Sequence, residues 1–207
     1  MKQIALIRHS VTGGNLLKRY IGRTDSPLAP EGIALAKRFA ARGAAPEAQV
    51  LWASPLTRCL ETAESLYPDL TPRVAADFRE CDFGEFEDRD HEALKDNPAY
   101  REWIGGGGAP PGGESRKAFS ARCRRGFLEI LRAFSAMEED KAAVVTHGGT
   151  IMAVMAAFAQ PEKPFYDWQT ANCGGFVLGI PEGWREGERL PLLAEVLPEP
   201  GGVQKLF

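Results

Sequence analysis

Two histidines stand at positions where phosphoryl chemistry is easy to do. The apolar run Ile4-Ala5-Leu6-Ile7 passes directly into Arg8-His9-Ser10, and Ala142-Ala143-Val144-Val145 passes into Thr146-His147-Gly148-Gly149. A neutral imidazole can attack phosphorus and carry the phosphoryl group as a phosphohistidine. A guanidinium offers a fork of N–H donors that matches phosphate oxygens. Arg8 adjoins His9, and Arg58 follows a third apolar run, Val50-Leu51-Trp52-Ala53. The glycines after His147 let backbone N–H groups approach an anion at the positive end of a helix. A transferring phosphoryl group needs fixed donors of this kind for its charge, and its leaving oxygen needs a proton. The stretch Phe78-Arg79-Glu80-Cys81-Asp82-Phe83-Gly84-Glu85-Phe86-Glu87 interleaves carboxyls with aromatic rings. Partial desolvation there favours the protonated form that a general acid requires. Two histidines could instead hold zinc, but no third ligand stands at a suitable spacing, and neighbouring guanidiniums oppose a dication. Neither a metal nor another cofactor is expected.

These groups converge only if the strands that carry them are parallel in one sheet. A short continuous apolar run bounded by turn signals suits a strand buried on both faces. In open α/β sheets the carboxyl edge of such strands is where ligands bind. Residues 16–28 read as a loop over that edge. Pro30-Glu31-Gly32 opens a helix with Ile33, Ala36, Phe39 and Ala40 on its inner face. Ser54-Pro55 reads as an N-cap and first-turn pair for a helix over Leu56–Leu66. A cation in that first turn, Arg58, is mildly unfavourable for the helix, so it serves either an anion or an ion pair with Glu61. Thr71–Ala75 suits a third strand, residues 90–104 a short weak helix, and residues 105–113 a Gly-rich connector with no phosphate-loop signature. Glu114–Met137 reads as one long amphipathic helix with Phe119, Cys123, Phe127, Ile130, Leu131 and Phe134 facing the core. A helix over Ile151–Phe158 follows His147, and Gly175–Ile180 with Leu192–Leu197 suits a hairpin.

The totals exclude several classes. The chain of 207 residues is 44% apolar and 26% charged, enough to bury the core of an α/β domain. A net charge of −3 gives no bulk attraction to nucleic acid or to an anionic membrane. Cys59, Cys81, Cys123 and Cys173 are far apart and form no CxxC pair, so they read as reduced thiols of a cytoplasmic protein. Met1-Lys2-Gln3 is followed by only four apolar residues before Arg8, too few for a signal peptide. With no repeat and no linker in view, one domain over 1–207 is expected, with residues 78–115 as an insertion over the site.

The motifs Arg8-His9-Ser10-x-Thr12-x-x-Asn15, Gly22-Arg23-Thr24-Asp25-x-Pro27-Leu28, Ser54-Pro55-Leu56-x-Arg58-Cys59-x-x-Thr62-Ala63, Glu80-x-Asp82-Phe83-Gly84-x-x-Glu87 and Thr146-His147-Gly148-Gly149 resemble, in order, the histidine phosphatase (phosphoglycerate mutase-like) superfamily. The resemblance covers most of residues 4–160. It implies a three-layer α/β/α sandwich with a mostly parallel central sheet. It implies His9 as the phosphorylated nucleophile, Arg8, Arg58 and His147 as holders of the phosphoryl group, and Glu80 as acid and then base. Asp82 stands as a second candidate acid, while Glu85, Glu87 and His91 are expected in solvent. Asn15, Gly22, Arg23, Thr24 and Gly148 would complete the substrate pocket. Ser10 stands where the family carries Gly, and Phe86-Glu87-Asp88 replaces its Trp-Glu-Gly. The short interval before His147 and the Pro111-Gly112-Gly113-Glu114-Ser115 stretch resemble the phosphatase branch, nearest to α-ribazole and broad-specificity phosphatases. The implied partner is a small phosphorylated metabolite, handled by a monomer or homodimer. A cofactor-dependent phosphoglycerate mutase and an inactive phosphate-sensing domain of the same fold remain as alternatives.

Overall fold

A computed structural model of the chain describes residues 1–197; the Pro/Gly-rich stretch 199–207 lies outside them. The elements in order are β1 (Lys2–Arg8), α1 (Gly13–Leu16), α2 (Pro30–Ala41), β2 (Val50–Ala53), α3 (Thr57–Leu66), β3 (Arg73–Val74), α4 (His91–Leu94), α5 (Pro98–Ile104), α6 (Arg116–Ser135), β4 (Lys141–Thr146), α7 (Gly148–Phe158), β5 (Ala159–Gln160), β6 (Gly175–Ile180) and β7 (Leu190–Val196). The strands form a seven-stranded sheet in the order β3-β2-β4-β1-β6-β7-β5. Neighbours are parallel except where β6 pairs with β1 and with β7.

Alternation along the apolar strands feeds two cores. Ile4, Leu6, Trp52 and Val144 face α6 and α7, whose Phe127, Phe134, Ile151 and Met155 complete that side. Ala5, Ile7, Leu51 and Val145 face α2 and α3, with Leu35, Phe39 and Ala63. Because both faces are covered, the strands read as continuous apolar runs rather than alternating ones. The result is the expected α/β/α sandwich. A third, smaller core packs Tyr20 of the loop after α1 against Phe86, Leu94 and Tyr100 of the 78–115 region. None of the four cysteines forms a disulfide, and all are buried.

Several local expectations shift. In α2 the buried stripe is Gly32, Leu35, Ala36 and Phe39, while Ile33 is 39% exposed. The helix docks closest at Gly32, where a Cβ would lie 2.0 Å from the Val11 carbonyl oxygen, and this rotates the inner face by one residue. Ser54 does not cap α3. The cap residue is Leu56, and the Asp25 carboxylate accepts from the Thr57 N–H at 2.8 Å and from its hydroxyl at 2.9 Å. Residues 90–104 make two helices, because Asn97-Pro98 is itself a start signal: Asn97 Oδ1 accepts from the Ala99 N–H at 2.9 Å. The sequence gives little sign of the two-residue edge strand β5, which pairs with β7.

Phe134 is fully buried and packs its ring against Trp52. Phe134→Ala should cost about 3–5 kcal/mol by cavity formation, read as a lowered urea midpoint with an unchanged slope.

Candidate active site

Parallel register brings the strand ends level. Arg8 pairs with Thr146, and Ala53 with Val145. The His9 N–H then donates to the Thr146 carbonyl at 2.8 Å, and the Ser54 N–H to that of Val145 at 3.0 Å. His9 and His147 therefore emerge side by side, with ring centroids 5.3 Å apart and planes at 64°. Nδ1 of His9 lies 2.6 Å from the Ser10 carbonyl oxygen, which can only accept. The proton therefore sits on Nδ1, and the Nε2 lone pair is available for attack. Burial, reinforced by the Arg58 and Arg8 charges, holds the pKa of His9 well below its usual 6.5. Burial, with Arg58 next, does the same to His147. Both rings are neutral near pH 7.

The two guanidiniums are used differently. Arg8 donates through Nη1 to the Thr170 carbonyl at 2.8 Å, while its buried Nε–H has no acceptor among the described residues. Burial lowers its pKa only to about 10, so the cation persists at neutral pH. Gly148 lies against it, where a Cβ would sit 3.5 Å from Arg8 Nε. Arg58 is fully buried and donates to His147 Nδ1 at 3.3 Å, to the Thr24 carbonyl at 2.9 Å and to the Gly22 carbonyl at 2.7 Å. Since Nδ1 of His147 accepts, its proton sits on Nε2, which donates to Ser54 Oγ at 2.7 Å. Glu61 is not Arg58's partner; its carboxylate accepts from the Leu28 N–H.

Glu80 reaches the same edge from the other side. Its two oxygens accept from the Cys81 N–H at 2.9 Å and the Gly149 N–H at 3.0 Å. A side chain at Gly149 would collide with it, since a Cβ there would lie 2.4 Å from Glu80 Oε1. Burial raises the Glu80 pKa, against the opposing pull of those two N–H groups and of Arg58 and Arg8. Asp82 is engaged elsewhere, accepting from Arg23 Nη1 and from the Gly84 N–H, each at 2.9 Å.

Arg8, His9, Asn15, Glu80, Gly148 and Gly149 line one cavity of about 580 Å³. Gly22, Arg23, Thr24, Arg58 and His147 do not line it; they form the layer behind. Glu87 ties that layer together, in contrast to the solvated role its sequence suggests. Its carboxylate accepts from the N–H groups of Gly22, Arg23 and Phe83 and from the Thr24 hydroxyl at 2.7 Å. His91 is exposed but not idle: its Nδ1 lies 2.9 Å from the Tyr100 hydroxyl at the cavity rim. The extra side chain of Ser10 points away from the cavity and donates to the Gly32 carbonyl at 2.7 Å. Asn172 has no local sequence signal, yet it is fully buried and its Nδ2 donates to the His9 carbonyl at 2.8 Å. Among the described residues no group of three or more His, Cys, Asp or Glu is placed to hold a metal ion, and no helix is long and apolar enough to cross a membrane.

A mostly parallel sheet, two neutral histidines at its carboxyl edge and a half-buried carboxyl in the same site define a class, and comparison with known proteins names it. Residues 4–190 match the model of the histidine phosphatase superfamily, branch 1, and the chain belongs to that family. The adenosylcobalamin/alpha-ribazole phosphatase of Salmonella typhimurium is 31% identical over 73% of this chain and 76% of its own length. A solved phosphoglycerate mutase from Thermus thermophilus superposes with a TM-score of 0.69 at 28% identity, covering 95% of this chain and 99% of that one. Mycobacterial hydrolase 1 gives a TM-score of 0.79 at 25% identity, covering 96% of this chain and all of that one (100%).

Two outcomes follow from the geometry. Unfolded, each histidine titrates near 6.5; folded, each stays neutral to lower pH. The unfolded chain therefore binds more protons in the interval between, and stability that is full above about 6.5 falls as pH drops below it, by up to about 1.4 kcal/mol per histidine per pH unit. Urea titrations in phosphate-free buffer should show this slope, and it should shrink in His147→Gln. Glu87→Ala should remove the acceptor that holds residues 22–24, costing about 1–3 kcal/mol and lowering kcat/KM by misplacing Arg58.

Proposed function

We propose that the chain hydrolyses phosphomonoesters of small metabolites through a phosphohistidine on His9. The observation that carries this reading is the free Nε2 lone pair of a neutral His9, set beside the unpartnered Nε–H of Arg8 with the Glu80 carboxyl in the same cavity. Nε2 attacks phosphorus, the ester P–O bond breaks, and the leaving oxygen takes the proton of Glu80. The Glu80 carboxylate then removes a proton from water, the resulting hydroxide attacks the phosphohistidine, and phosphate leaves with His9 restored. Arg8 and the Gly148 end of α7, whose helix dipole favours an anion, carry the equatorial charge. Arg58 acts from behind by keeping the field positive, and His147 packs edge-on against the His9 ring. No metal is needed for any step. Desolvation of Glu80 supports it over Asp82 as the proton donor.

The relative's name and the Glu80-x-Asp82-Phe83-Gly84 motif make α-ribazole 5′-phosphate the first substrate to assay. Four buried cysteines with no disulfide among them fit the cytoplasm as the place of work.

Release of inorganic phosphate in excess EDTA tests the whole reading. His9→Ala should abolish turnover and the acid-labile phosphoenzyme while leaving the circular dichroism spectrum intact; normal turnover in that variant sinks the mechanism. Glu80→Gln should lose ~10²–10⁴ in rate on esters with poor leaving groups, and Asp82→Asn far less. Interconversion of phosphoglycerates without phosphate release would establish the mutase reading instead.

A further inference from the structure

The cavity that begins at His9 extends well past the reacting atoms, and its character changes as it does so. Near His9 it is lined by Arg8, Asn15 and Glu80; beyond them come Phe83, Trp103, Ile104, Phe165 and Tyr166. At about 580 Å³ it exceeds what a phosphoryl group and a three-carbon alcohol fill. Trp103 is braced edge-to-face by Tyr20 at 5.4 Å and by Phe83 at 5.7 Å between centroids. Those rings rest in turn on the small core of Phe86 and Tyr100.

Phe165 and Tyr166, which also line the cavity, are braced by Arg116 at the start of α6. Its guanidinium lies 5.8 Å from the Phe165 ring centroid and 5.2 Å from that of Tyr166, and its Nη2 donates to the Tyr166 hydroxyl at 2.6 Å. The other outlying cation, Arg19, is paired with Asp88 at 3.0 Å. Glu80 is the single carboxylate among the described lining residues, so no second carboxylate there pairs with a cationic group, and the ring faces of Phe165 and Tyr166 already hold the Arg116 cation. Rings braced by one another and a guanidinium committed to other rings make a surface for flat apolar groups.

Resting on the hydrolase reading above, we propose that this region is a leaving-group subsite for phosphomonoesters bearing a planar aromatic ring system, with Trp103 and Arg116 as its specificity-determining residues. An ester whose leaving group ends in a carboxylate gains little there, because Arg116 would have to abandon Tyr166 to meet it.

The test compares kcat/KM for 2-naphthylmethyl phosphate, propyl phosphate and 3-phosphoglycerate. The first two are both alkyl esters, so their alcohols leave with similar difficulty and the ratio reports binding of the ring. The naphthyl ester should exceed the propyl ester by on the order of 10²-fold, the scale expected from enclosing the added apolar area. Trp103→Ala and Arg116→Ala should each narrow that ratio by up to about tenfold, and Trp103→Phe should restore most of it. A ratio near one overturns the proposal. So does a preference for 3-phosphoglycerate that Arg116→Ala removes, which would make the region a carboxylate subsite. If no ester is hydrolysed, the hydrolase reading falls, and binding of 2-naphthylmethylphosphonate, followed by tryptophan fluorescence, decides the subsite separately. Ring-dependent binding weakened in Trp103→Ala sustains it, and binding no tighter than that of propylphosphonate ends it.

Discussion

The constraint on which the site depends is the parallel ladder joining β2, β4 and β1. Each rung fixes two things at once. It sends alternate side chains to opposite cores, and it decides which residue of each strand emerges last. A slip of one residue in β4 would turn Val145 toward the wrong helices and carry His147 away from His9. The burial of Ile4–Ile7 and Ala142–Val145 thus sets the distance between two imidazoles that none of those apolar residues touches. Core packing and the geometry of the site are here the same requirement, met by the unbroken apolar runs Ile4–Ile7 and Ala142–Val145 just before Arg8 and Thr146.

A second layer of order comes from loops rather than strands. Arg58 spends its donors on His147 and on the carbonyls of residues 22 and 24, and Glu87 collects the amides of the same loop. A buried cation is tolerable when its hydrogen bonds are made, and here they are made to backbone. Charge near His9 is thereby supplied by a guanidinium held through its own hydrogen bonds. Arg8, with an N–H left over, is the guanidinium poised for an incoming oxygen.

The sequence made the sheet and the reacting groups legible because they are local. Apolar runs, the glycines after His147 and the stripe on α6 are each written within a few residues. What escaped reading was the traffic between distant segments. Glu87 looks solvated until residues 22–24 fold against it. Ser54 looks like a cap, yet its hydroxyl serves His147, and a loop aspartate caps α3 instead. Asn172 supports the His9 carbonyl from 163 residues away, a distance no periodicity records. Ile33 and Leu35 exchanged places because the close approach of Gly32 to Val11, in the segment after β1, set the rotation of α2.

Burial of the cysteines has a practical consequence. Cys59, Cys123 and Cys173 are fully enclosed and Cys81 nearly so, and burial pushes the thiols of Cys59 and Cys123 up to about 12. Thiolate, the species that reacts with maleimides and disulfides, is scarce at such sites near neutrality. The folded chain is chemically silent toward thiol reagents without having been stripped of sulfur. A single cysteine introduced on an outer face would then be the one handle that a fluorophore or spin label finds.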